Sequence, residues 1–129
     1  MGRPQDVFLV RARENLAAAR LLNERGLYNA AASRAYYDAF QAALAALDRH
    51  GLYREEMGHD RVQAQFSGEL VNRRKVVPSD LRSTLSDLQS VRNDADYGTR
   101  GVSQKVVGRQ LRKDEAFVRE VRQALGADG

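Results

Sequence analysis

Apolar residues recur along this chain at intervals of three and four, the period of a helix with one buried face. In the first segment Phe8, Ala12, Leu16 and Ala19 share a face, and Gly26 follows as the expected left-handed C′ residue. The second segment, LYNAAASRAYYDAFQAALAALDRHG, aligns Tyr36, Phe40, Leu44 and Leu47 before stopping near Gly51. Its many alanines permit close packing, and Tyr28 and Tyr37 add aromatic surface on other sides, so a central position is predicted. Residues 51–58 read as a loop. Val62, Phe66 and Leu70 then mark a shorter third helix that closes on Arg73, Arg74 and Lys75.

Pro78 with Ser79 and Asp80 announces a fourth helix, with Ser79 as the expected N-cap and Leu81, Leu85, Leu88 and Ala95 as its stripe. After Gly98 and Gly101, Ser103 is expected to cap a fifth, in which Val107, Leu111, Val118, Val121 and Leu125 fall close to one face. The tail beyond Gly126 is expected to fray. No strand alternation survives. Amphipathic helices with short links must bury their stripes against one another, so an all-α, up-and-down antiparallel bundle of four to five helices is predicted. It forms one domain over residues 1–129 with its core at about 5–125. The surplus of apolar surface on the second and fourth helices leads us to expect a homodimer.

Composition narrows the chemistry. The chain has no cysteine, which excludes disulfides and thiolate catalysis, and its two histidines are too few for a typical zinc site. Neither a metal nor a cofactor is expected. No apolar run approaches a membrane span. The opening MGRPQDVFLVRARENL brings charges back at once, so a cytoplasmic location is expected. A net charge of +4 is concentrated in Arg73-Arg74-Lys75 and in a run through Arg100, Lys105, Arg109, Arg112 and Lys113. Such clusters suit phosphates, and they also suit solvated helix faces.

The stretch SVRNDADYG ends the fourth predicted helix with Asp94 and Asp96, where the partly negative carbonyl end disfavours carboxylates. Arg92 and Asp96 share a face, but Arg before Asp is the poorer order for such a pair. Leu88 and Ala95 lie on or beside that face, so Arg92 and Asp96 are expected to point towards other helices. Arg34, set among apolar positions of the second helix, is the expected partner of the carboxylates. An Arg–Asp–Tyr network fixing the packing of helices two and four would account for these residues without any further function. Tyr97 stands at the helix end before a glycine-containing loop, either accessible or packed beneath it.

The pair AASRAYYDAFQAALAAL and VRNDADYG, separated by a helix opening GHDRVQAQF, resembles the HEPN domain family, in particular its small single-domain prokaryotic members. The similarity runs over residues 5–125. It implies a helical bundle that dimerises and brings the late-helix motif of both chains around a shared cleft. Many relatives are metal-independent ribonucleases, and many small ones form toxin–antitoxin pairs with minimal nucleotidyltransferases. Their nuclease motif is Arg, four to six residues, then His. Here Arg92 matches the Arg, while Tyr97, Gly98 and Thr99 occupy the possible His positions.

That departure limits cleavage, because metal-free scission of RNA needs a base and an acid working near neutral pH. Arg92, Asp96 and Tyr97 remain the candidate catalytic residues, with Asp96 as a base and Arg92 on phosphate charge. His50 and His59 could enter the cleft from elsewhere in the fold; His50, at a helix C-terminus, is expected to be structural instead, and His59, beside Asp60 and at a position that resembles a recurring histidine of the small family members, is expected to be a surface cap. Arg34, Arg73, Arg74, Lys75, Arg100 and Lys105 are the candidate nucleic-acid or nucleotide contacts. The non-cleaving function ranks first: an RNA- or nucleotide-binding homodimer, one component of a toxin–antitoxin pair with a small nucleotidyltransferase. The alternatives are an active metal-independent endoribonuclease toxin using Arg92 and Asp96, and a non-catalytic partner of the nucleotidyltransferase.

Overall fold

The computed structural model describes residues 3–126. It is an all-α bundle, with α1 at Pro4–Glu24, α2 at Tyr28–Arg49, α3 at His59–Gln65, α4 at Thr84–Tyr97 and α5 at Gln104–Leu125. A π-helical segment, Phe66–Arg73, continues α3, and a 3-10 turn, Ser79–Leu81, precedes α4. The expected fraying beyond Gly126 lies outside the described residues. No helix among the described residues is long and apolar enough to cross a membrane.

Side-chain contacts fix the direction of each helix. Gln5 N–H donates to Asp48 Oδ2 at 3.1 Å, joining the start of α1 to the end of α2, so these two are antiparallel. Tyr37 and Ser33 of α2 meet Arg92 and Asp96 of α4 in reverse order, which makes that pair antiparallel as well. α5 runs against α1, since Arg20 pairs with Glu115 and Arg122 with the carbonyl of Leu9. One link departs from strict alternation. Residues 51–58 travel back along α2, so that His59 opens α3 beside Tyr36 while Arg74 reaches the carbonyl of His50. α3 therefore runs parallel to α2.

α2 is central because its residues are small on almost every side. Ala31, Ala35, Ala39, Ala42, Ala43 and Ala45 are fully buried, which lets α1, α4 and α5 approach closely. Larger residues then fill the layers: Tyr36, Leu47, Phe66, Leu70, Leu88, Phe117 and Val121 form the main core, and Val107 and Leu111 pack on the alanines nearer the start of α2. The predicted stop at Gly26 is present, with φ +76° and Leu27 N–H donating back to Leu22 O at 2.9 Å. The Ser103 cap is present too, its Oγ accepting from Val106 N–H at 3.2 Å.

The start of α4 differs from expectation. Ser79 opens a 3-10 turn and caps nothing; the α-helix begins at Thr84. The cause is Leu81, which is buried, and whose N–H closes on Pro78 O at 3.1 Å. That tighter turn breaks the phase, and regular i to i+4 bonding resumes only with Asp87 N–H donating to Ser83 O at 2.9 Å.

Candidate functional site

Where α4 crosses α2, one of the two carboxylates at the helix end, Asp96, finds partners. Arg92 Nε lies 2.9 Å from Asp96 Oδ2 one turn later, and Ser33 Oγ of α2 donates to the same oxygen at 3.5 Å. The Arg92–Asp96 contact is off the N–H axis, so it is a charge contact more than an aligned hydrogen bond. Arg92 also donates from NH2 to the hydroxyl of Tyr37 at 3.0 Å. The expected Arg–Asp–Tyr network thus exists between α2 and α4. Asp94 has a different position: its side chain is exposed, and its carbonyl accepts from Gly98 N–H at 3.0 Å.

Arg34 does not pair with a carboxylate as expected. Its NH1 donates to Asn15 Oδ1 of α1 at 3.0 Å, and its guanidinium sits 5.0 Å from the centre of the Tyr37 ring. A neutral amide and an aromatic face suffice because Arg34 is only half-buried. The Arg92 guanidinium lies 5.3 Å from the centre of that same Tyr37 ring and 5.5 Å from the centre of the Tyr97 ring. Arg34, Tyr37, Arg92 and Tyr97 therefore form a ladder of alternating cations and rings. Tyr97 is its open end, at 74 % exposure, and does not pack beneath the loop.

His59 is the main correction at this site. It is not a surface cap: its ring stacks on Phe40 at 4.4 Å and on Tyr36 at 5.6 Å, and meets Tyr37 edge-on at 6.0 Å. Its Nδ1 lies 2.6 Å from the Tyr36 hydroxyl. Burial, and then the nearby Arg92 charge, lower the His59 pKa below its usual value, opposed by Asp60. Tyr36 is pushed up to about 12, chiefly by burial, so its phenol stays protonated. The loop at 51–58 thus delivers an imidazole into the field of Arg92, although no spacing within SVRNDADYG contains one. The aromatic pair YY of α2, facing GHD, was the available signal. His50 lies at the C-cap of α2 as expected, but burial and the charges of Arg74 and Arg49 lower its pKa, so the reason for expecting a structural role, a cation favoured by the helix end, does not hold.

The candidate phosphate contacts separate into two groups. Arg100 and Lys105 lie beyond the end of α4 and at the start of α5, the end of the bundle where Val102 N–H binds Asn29 of α2 at 2.8 Å. Arg73, Arg74 and Lys75 lie elsewhere. Arg74 donates to the carbonyl of His50, roughly 20 Å along α2 from Tyr37 at 1.5 Å per residue. Arg73 and Arg74 also share Glu69, at 2.9 and 3.4 Å, which neutralises part of that cluster. Lys75 follows with φ +54°.

The fold and these contacts define a small helical-bundle protein whose late helix ends in a polar cluster against an alanine-rich central helix. The HEPN domain model matches residues 6–124, nearly all of the chain, and the protein belongs to the HEPN domain family. That membership supports a function related to nucleotides or RNA. A search of curated proteins gives no match.

Proposed function

We propose that this chain is a cytoplasmic, dimeric RNA- or nucleotide-binding protein, one component of a toxin–antitoxin pair with a small nucleotidyltransferase, and that it cleaves RNA weakly or not at all. The observation that carries binding is the Arg34–Tyr37–Arg92–Tyr97 ladder: a base stacks on the exposed Tyr97 ring while phosphate oxygens approach Arg92 and Arg100. In a dimer, two such ladders would flank one cleft. The test is retention of single-stranded RNA on filters across a salt series, with sedimentation run alongside. Binding that fades with salt and weakens with Tyr97→Ala supports the proposal. Absence of retention at low ionic strength refutes the nucleic-acid part, and a monomer at all concentrations refutes the shared cleft. Co-purification with the product of the neighbouring gene tests the partner, and comparison with Tyr97→Phe separates docking from chemistry at the hydroxyl.

His59 favours a second function, metal-independent cleavage. In the tautomer whose Nδ1–H donates to the Tyr36 oxygen, one of the two that the 2.6 Å contact admits, Nε2 carries the lone pair needed to take a proton from a ribose 2′-hydroxyl. The alkoxide then attacks phosphorus, the 5′-oxygen leaves with a proton from solvent, and Arg92 offsets the phosphate charge. RNA cleavage in EDTA that is abolished by His59→Gln and by Arg92→Ala, with folding retained, would establish it over pure binding.

A further inference from the structure

On the side of the bundle made by α1 and α5 there is a cavity of about 500 Å³, within the range of small-ligand sites. It shares no residue with the Arg92 cluster. Three guanidiniums, of Arg20, Arg119 and Arg122, face one carboxylate, Glu115, and that carboxylate is already bound to Arg20. Arg122 is only 7 % exposed, yet its NH2 donates to a neutral acceptor, the carbonyl of Leu9, at 3.1 Å. Arg119 is exposed and makes no hydrogen bond or ion pair among the described residues.

A buried guanidinium ordinarily requires a carboxylate bonded to it. The two buried acids, Asp38 and Asp114, turn to each other, and none of their four oxygens accepts a hydrogen bond from Arg122. Burial and the adjacent Arg13 pull the Arg122 pKa below its usual value, and Asp38 opposes this only in part. Negative charge is therefore short on the cavity side of Arg122. Leu16 and Val118 supply an apolar wall beside it.

We propose that the α1–α5 cavity binds a small organic phosphate monoester, its phosphate held by Arg119 and Arg122 and its apolar part against Leu16 and Val118. The two arginines lie one turn apart on α5, and each presents a fork of N–H donors. A monoester offers three terminal oxygens and close to two negative charges, enough to engage both forks. A carboxylate has two oxygens and is satisfied by one fork.

The probe is phenyl phosphate, titrated by calorimetry at low ionic strength against wild type, Arg119→Ala, Arg122→Gln and Arg92→Ala, with inorganic phosphate and phenylacetate as comparators. Saturable binding of phenyl phosphate is expected, weakened about tenfold or more by Arg119→Ala and retained in Arg92→Ala. Inorganic phosphate, lacking the apolar part, should bind more weakly. Arg119→Ala removes an exposed, unbonded side chain and should leave the unfolding midpoint unmoved, so the test survives if Arg122→Gln fails to fold. Absence of saturable binding, binding indifferent to Arg119→Ala, or binding lost with Arg92→Ala instead would overturn the site. Equal affinity for phenylacetate would overturn the phosphate assignment. Failure here leaves RNA binding at Tyr97 untouched, because the two sites have no residue in common.

Discussion

Asp38 of α2 and Asp114 of α5 are fully buried, and none of their four carboxyl oxygens accepts a hydrogen bond from any other group, which leaves the two carboxyls only each other, joined when one of them carries a proton. Two carboxylates in one dry site cannot both ionise cheaply. Burial raises the Asp38 pKa from its ordinary 3.8 to about 6, against the pull of Asp114, Arg122 and Arg20. Asp114 is likewise held well above its ordinary value, by burial and by Asp38 itself. A folded pKa above the unfolded value means that the native state binds the proton more tightly. The stability from that proton is therefore complete below about pH 4 and is lost as pH rises through about 6. A rise of this size corresponds to about 3 kcal/mol for Asp38. Asp114, raised by the same burial, adds to the loss in the same sense.

Asp38→Asn should remove the cost, because a neutral amide can donate to Asp114 without bringing in a second charge. The histidines complicate a direct pH scan, since His50 and His59 have lowered pKa values and add stability as pH rises through the same interval. The quantity to measure is the difference between wild type and Asp38→Asn, in urea unfolding followed by helical circular dichroism, from pH 4 to pH 8. The variant should be level with wild type or weaker at the acid end and gain about 1–3 kcal/mol relative to it by pH 8. Asp114→Asn should show the same trend. A difference that stays constant across the series would refute a shared proton between α2 and α5.

Three further outcomes follow from the same geometry. Ser103→Ala should cost about 1 kcal/mol in urea unfolding, because it removes the hydroxyl that accepts from Val106 N–H; no change would mean that the cap is dispensable. Arg92→Ala should raise the His59 pKa towards its usual value in a proton-NMR titration, since the guanidinium charge is one of the two causes that lower it; an unmoved titration would place His59 outside the field of Arg92. Tyr97→Ala should weaken RNA retention and leave the thermal midpoint within about 1 °C of wild type, because a ring 74 % exposed contributes little to the core; a large fall in stability would contradict its open position.

Helix positions were legible because burial follows a simple period: Val62, Phe66 and Leu70 all reach the core as their spacing requires. Ser79 misled because a cap residue before an apolar stripe reads alike whether an α-helix or a 3-10 turn follows. Arg34 shows a second limit. Its place among apolar residues implied partial burial, but periodicity does not say which helix supplies the acceptor, and the acceptor is Asn15 of α1. His59 shows a third, since the path of the loop before it decides its neighbours. Asp114 was within reach of pattern reasoning. It falls in phase between Leu111 and Val118, and a charged residue in a buried stripe marks a site where protons or charges must be managed.

The lack of a histidine at Tyr97, Gly98 and Thr99, the positions open to one in the motif that the sequence resembles, also changes meaning once α3 is in place. In a motif confined to one helix, loss of the histidine removes the only group that titrates near neutral pH. Here α2 supplies Tyr36 and Tyr37, α3 supplies His59 and α4 supplies Arg92. Chemistry then depends on three helices keeping their register. Asp38, next in sequence to Tyr37 and directed instead towards α5, ties α2 to the opposite side of the bundle. A rotation of α2 that eased the crowding of Asp38 and Asp114 would also move Tyr37 relative to Arg92 and His59. The proton shared with Asp114 therefore bears on the geometry of the ladder as well as on stability. RNA retention measured beside unfolding in Asp38→Asn separates the two: a gain in stability with unchanged binding confines the pair to the core, and a change in binding with no change in net exposed charge requires coupling through α2.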